Sequence, residues 1–186
     1  MMVSKILFPI FIGTLAMHAA EGDLSPTARV FDSQLSNLER EVVSLAEAVP
    51  AEKYSFAPKN GEFANVRTFA QQVTHIATVN FAISSRILGE AVPVDVGKDE
   101  NGSADLKTKE AIVDYLKRSF AYTHKAMRSL TEENLMAQID SPFGKNKVSR
   151  LSLVTLPQWH GFDHYGQMAV YARMCGVIPP ASRPRN

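Results

Sequence analysis

His160 and His164 stand four residues apart, a spacing that brings two imidazoles onto one face of a helix, where both can reach the same metal ion. On a wheel of about 100° per residue, Leu153, Leu156, Gln167, Met168, Tyr171 and Met174 fall within about a third of a turn of the pair. The two histidines therefore occupy the middle of a core-facing stripe, and a buried imidazole must have its nitrogens satisfied. Two readings meet that need: a hydrogen bond from each ring to a facing helix, or a shared divalent ion. A third ligand would separate them. His75 and His124 are the candidates, each at the flank of its own helix's stripe, and His124, next to Lys125, reads as surface. Three neutral imidazoles leave a fourth coordination position open, the arrangement of a catalytic site. Such an ion lowers the pKa of a bound water or takes an anionic or thiolate substrate directly. Gln167, one turn beyond His164, can orient that water or substrate but cannot take a proton. Asp163 lies about a quarter-turn off the face, where it holds a neighbouring ring N–H or meets solvent. Cys175 reads as a packed thiol, and no nucleophile constellation accompanies it.

The helices that must carry these residues can be read from their caps and stripes. Ser25-Pro26 is a helix start, a hydroxyl N-cap followed by proline at the first helical position. Phe31, Leu35, Leu38, Val42, Leu45 and Val49 follow as one apolar stripe, stopped by Pro50. Residues 51–61, with Tyr54, Phe56, Pro58 and Gly61, form a connecting loop whose aromatic rings either line the mouth of a site or cover the bundle end. The pattern predicts a second helix from Ala64 to Leu88, closed by Gly89. A polar link follows from Ala91 to Lys107. Its acidic residues do not make a calcium loop, because aligning Gly102 with the turn glycine places Gly97 and Thr108 where acidic ligands are required. It reads as a solvated loop. A third helix starts near Thr108 and uses Ile112, Leu116, Phe120, Thr123, Met127 and Leu130. Thr131-Glu132-Glu133 caps a short extra turn, and Ser141 to Lys147 is another turn region. The last helix is expected from Arg150 to Cys175, ended by Gly176 and Pro179-Pro180. Within it Pro157 removes a backbone hydrogen bond one turn before His160, predicting either a kink that re-aims that ring or a tolerated bend. No strand of convincing alternation occurs. Four amphipathic helices with narrow stripes predict an all-α four-helix bundle, with a metal site between helices two and four.

Composition narrows the function. The 186 residues carry a formal charge of +1 and a single cysteine, which suits one ordinary domain without a disulfide framework or Cys-rich zinc ribbon. So balanced a charge argues against nucleic-acid binding. Residues 1–20 have the form of a signal peptide: Lys5, an apolar run from Ile6 to Met17, then Ala19-Ala20 before polar sequence. The alternative is an N-terminal helix kept as an anchor or tucked into the core. The run falls short of the roughly 20 residues of a membrane span, so no stable span is expected after processing. The expectation is an exported protein, periplasmic or secreted, with one domain over residues 21–186. Its implied partner is a small-molecule substrate. Pairing of two copies as a homodimer is compatible with the pattern, although no apolar stripe is left over for it.

The last helix also resembles a known family. Trp159-His160-Gly161-Phe162-Asp163-His164-Tyr165-Gly166-Gln167, then Tyr171-Ala172-Arg173, Gly176 and Pro179-Pro180, is similar to the C-terminal helix of the DinB-like proteins. Tyr54-Ser55-Phe56-Ala57-Pro58 and the segment around His75 occupy the places of that family's loop and first metal histidine. The resemblance extends over Ser25 to Pro180. It implies a four-helix bundle with His75, His160 and His164 as ligands of a divalent transition metal, with zinc or nickel favoured. Tyr165 stands where the family often has Arg, so an outward salt bridge is expected to be missing. The family includes thiol-dependent transferases and isomerases, so the reaction is not implied. An oxidising compartment is poor in small reduced thiols, which ranks metal-assisted hydrolysis above thiol transfer. A metal-holding or partner-binding module without turnover is the further alternative, supported by the lack of an acid–base residue beside the triad.

Overall fold

In the computed structural model, residues 24–184 are described, and residues 1–20, expected to be a signal peptide, lie outside them. Four long helices dominate: α1 (Pro26–Ala48), α2 (Phe69–Leu88), α3 (Lys109–Arg128) and, after a short hairpin and a brief α4 (Arg150–Val154), α5 (Leu156–Met174). α1 and α2 each pack on both α3 and α5, a four-helix ring. The core is continuous, with Leu35, Leu38, Leu45, Ile76, Ile83, Leu116, Phe120, Met127 and Met168 fully buried. None of the described helices is long and apolar enough to cross a membrane.

The helix starts follow their caps. The Ser25 hydroxyl accepts from the Ala28 N–H at 3.0 Å and donates to the Leu130 carbonyl at 2.8 Å, and Thr108 caps α3 through the Ala111 N–H. α2 begins at Phe69, five residues later than Ala64. There the Thr68 side chain and the Gln71 side chain satisfy each other's backbone N–H groups in a capping box, and two free N–H groups met at once define the start better than the apolar stripe does. α2 is also buried on far more than one face, because it lies between α3 and α5. Its seam with α3 is built of hydroxyls and small polar groups. Ser84 donates to Thr123 at 2.9 Å, and Asn80 donates to Ser119 at 3.3 Å.

The single last helix expected over 150–175 is instead two. The break falls at Thr155, and Pro157 takes a first-turn position of α5 where its missing N–H has no cost. Met174, expected in the inward stripe, is 52% exposed at the helix end. A two-stranded hairpin was not expected: β1 (Gln138–Asp140) pairs antiparallel with β2 (Lys147–Ser149), and three residues per strand are too few for alternation to show. The turn expected over Ser141 to Lys147 lies between them, with Lys147 already paired in β2. His124 is not a free surface residue: Nδ1 lies 2.5 Å from Asp32 and Nε2 3.1 Å from Glu39, tying α3 to α1. Tyr165, in place of the expected arginine, makes its own α5–α1 tie by donating to Glu41 at 3.2 Å.

Gly161, between the two histidines of α5, sets the approach of α5 to α1. A Cβ there would lie 2.5 Å from Leu38 Cδ2 and within 3.2 Å of Cδ1 and Cγ, and Leu38 is fully buried with nowhere to turn. Gly161→Ala is therefore expected to destabilise the fold by about 1–3 kcal/mol, read as a lower urea midpoint at unchanged m-value. A midpoint equal to that of the parent protein would show that α1 and α5 can separate freely.

Candidate metal centre

His75 comes from the second turn of α2, and His160 and His164 from successive turns of α5. Although His75 is at the flank of the apolar stripe of α2, that flank faces α5, so its ring is only 5% exposed. The three Nε2 atoms meet: His160 lies 3.2 Å from His75 and 3.1 Å from His164. All three histidines offer ligand atoms within 4.8 Å of one another. Neighbouring ligands on a tetrahedral ion with bonds near 2.0–2.1 Å stand about 3.3 Å apart, so the rings need almost no movement to share one.

The protons decide what this cluster is. His75 Nδ1 faces the Glu100 carbonyl at 2.8 Å, and His164 Nδ1 faces the Gln72 side-chain oxygen at 2.5 Å. Both partners only accept, so both Nδ1 atoms carry protons and both neutral rings turn bare Nε2 lone pairs inward. His160 Nε2 can supply at most one proton to two lone pairs. Three acceptors with at most one proton between them form a donor set for a cation. The third ring has no such guide: His160 Nδ1 is buried with no partner among the described residues.

A chain of amides holds His164 in this tautomer. Asp163 accepts from the Gln167 amide nitrogen at 3.1 Å, and the Gln72 amide nitrogen donates to Gln167 oxygen at 2.9 Å. A carboxylate that only accepts thus orients Gln167, which orients Gln72, which presents its oxygen to His164. Gln167 is itself exposed, with both ends of its amide engaged. Gln72 is 2% exposed, and in sequence a glutamine one turn before a histidine carries no signal of such a role.

Burial, then the other two rings, then the Arg67 guanidinium push His160 down to about 3. Burial first, then the charge of His75, push His164 down to about 4; the Asp163 carboxylate pulls it upward, and the Arg67 guanidinium adds to the lowering. Burial lowers His75 as well, opposed by its bond to the Glu100 carbonyl. All three are neutral around pH 7, the protonation state a ligand needs.

The link over 91–107 is part of the site and not merely solvated. Gly97 and Gly102 both have positive φ, and a Cβ on Gly97 would fall 2.1 Å from the Gly102 carbonyl oxygen. Only glycine permits that crossing. The Gly102 N–H donates to Val96, and Arg67 Nε donates to Asn101 at 3.0 Å, so the loop is pinned on both sides. Between these points Glu100 sits in the left-handed region at φ 54, a conformation that non-glycine residues adopt at a cost, with its carbonyl on His75. Glu100 also lines the cavity of about 420 Å³ that opens onto His75 and His160.

Tyr54 and Phe56 cover the bundle end. Tyr54 is buried, donates to the Ala46 carbonyl at 2.7 Å and meets Phe69 edge-on, while Phe56 meets Tyr171.

The sequence model of the DinB superfamily matches residues 34–168. A DinB-like protein of Bacillus cereus superposes with a TM-score of 0.67 at 20% identity, covering 82% of this chain and 95% of that one. A DinB-like protein of Bacillus subtilis gives 0.59 at 27% identity, covering 79% and 92%. A conserved protein of Enterococcus faecalis gives 0.63 at 15% identity, covering 81% and 97%. No curated protein matches the chain.

Proposed function

Because the chain belongs to the DinB superfamily and its three histidines converge, we propose that it is an exported metal-dependent hydrolase that holds one divalent transition metal, zinc or nickel, on His75, His160 and His164. The observation that carries this reading is the set of inward lone pairs on two tautomer-locked rings around a third. A divalent ion bound there supplies Lewis acidity at an open position, polarising a carbonyl or bringing water's pKa towards neutrality. Glu100 supplies the acid–base group absent from the triad helices. Its backbone carbonyl meets His75 and the residue lines the cavity that opens onto His75 and His160, and in this reading its carboxylate takes a proton from the attacking water and returns it to the leaving group. Gln72, Gln167 and Asp163 are positioning residues that keep His164 fixed through the reaction. Trp159, 60% exposed beside His160, shields one side of the site from solvent once substrate is in place. The signal-peptide form of residues 1–20, a basic start, an apolar run and small residues before polar sequence, supports the exported part of this reading.

Elemental analysis of the protein, purified without a histidine tag beside a His160→Ala His164→Ala variant of unchanged circular dichroism, tests the reading. About one equivalent of a transition metal is expected in the parent and none in the variant, with hydrolysis of 4-nitrophenyl esters by the parent alone. If both remain empty after incubation with zinc and nickel, the triad is a hydrogen-bonded core cluster and the proposal fails. Metal without hydrolysis of any ester or amide tried would make the protein a metal-holding module.

A further inference from the structure

The cavity at the triad continues along α2. His75, Val79, Ala82 and Arg86 all line it, and at about 100° per residue they lie within roughly 60° of one another. They form one face of the helix, running about 16 Å from the triad to Arg86. Between those ends the walls are apolar: Ile83 below, with Phe143 from the hairpin tip and Trp159 from α5 at the rim, 69% and 60% exposed. Exposed aromatic rings flanking an apolar trough gain from being covered. The two ends differ in charge. Glu100 lines the triad end and Arg86 the distal end. Among the described residues Arg86 forms no salt bridge, and the acidic Glu90 nearby in sequence is engaged by Lys125 at 2.6 Å and by Tyr122.

From this geometry, and resting on the hydrolase reading above, we propose that the cavity selects an elongated substrate with a single carboxylate: the acid on Arg86, an apolar spacer along α2 beneath Phe143 and Trp159, and the hydrolysable acyl bond at the triad. A guanidinium that forms no salt bridge among the described residues matches a carboxylate in planar, two-bonded geometry. Glu100 repels the same charge from the other end, so the substrate enters in one direction. Water hydrolyses the acyl bond: its oxygen joins the carbonyl carbon, and the bond from that carbon to the leaving group breaks. One proton passes through Glu100 to the leaving group, the other stays with the new carboxylic acid and is lost to solvent as it ionises, and no oxidant or second substrate is consumed.

Binding tests this without turnover. Trp159 is the chain's one tryptophan, so its emission reports occupancy of the trough. Metal-free full-length protein is titrated with decanoate and with decanol, which share the chain and differ in the charged head. Decanoate is expected to bind more tightly than decanol. Arg86→Gln should weaken decanoate by about tenfold and leave decanol unchanged, and Arg86→Lys should recover part of the loss. Equal binding of the two probes by the parent, or unaltered decanoate binding by Arg86→Gln, overturns the proposal. Because no metal is present in the titration, failure of the triad to hold an ion and failure of this subsite are separate results.

Discussion

Glu100→Gln is expected to lower kcat of the zinc- or nickel-loaded protein towards 4-nitrophenyl esters by about 10²- to 10⁴-fold, the usual contribution of a positioned acid–base group. Metal content should be unchanged, because Glu100 touches the triad through its backbone carbonyl on His75, which the substitution keeps. Glu100→Gly separates the side chain from the backbone. At φ 54 glycine relieves the strain of a left-handed residue, so stability should hold or rise by about 1 kcal/mol while activity falls as in Glu100→Gln. The check is kcat measured beside metal stoichiometry and the urea midpoint. Full activity in Glu100→Gln would remove Glu100 from the chemistry and leave the triad without a base.

Gln72→Leu should weaken metal binding by about 10- to 100-fold, as loss of a ligand's outer partner does, in a competition titration against a chromophoric chelator. Leucine fills nearly the same buried space, so the fold should persist. What is lost is the acceptor 2.5 Å from His164 Nδ1 and the donor to Gln167. His164 is then free to move its proton to Nε2, where the lone pair was needed. Gln72→Glu keeps an acceptor for His164 and is expected to restore most of the affinity, whereas a merely volumetric role would leave both variants alike. Affinity in Gln72→Leu equal to that of the parent would mean that the tautomer is set by something other than the amide chain.

Much of this architecture could be read in one dimension because it depends on neighbours along the chain. Stripes such as Leu35, Leu38, Val42 and Leu45, the hydroxyl caps Ser25 and Thr108 and the left-handed Gly89 are local signals, and the structure uses each as expected. The pair His160 and His164 was legible for the same reason, since one helical turn separates them. The start of α2 was misplaced because apolar periodicity cannot outweigh a capping box, and the last helix was joined across Thr155 because Pro157 suits a first turn as well as a kink.

The remaining features come from contacts between distant segments. His75 looked marginal on its own wheel and is buried because α2 has α5 on that side. His124 looked exposed and is held by Asp32 and Glu39, some ninety residues away. Gln72 and Glu100 gave no sign in sequence at all: one acts through a proton on His164, the other through a carbonyl delivered by a glycine-crossed loop. Helical periodicity assigns side chains to faces, and that was enough for the bundle and two of the ligands. Which rings carry which proton, and whether three lone pairs meet at one point, depends on hydrogen-bond partners that only the packing of α2, the 91–107 link and α5 brings within reach.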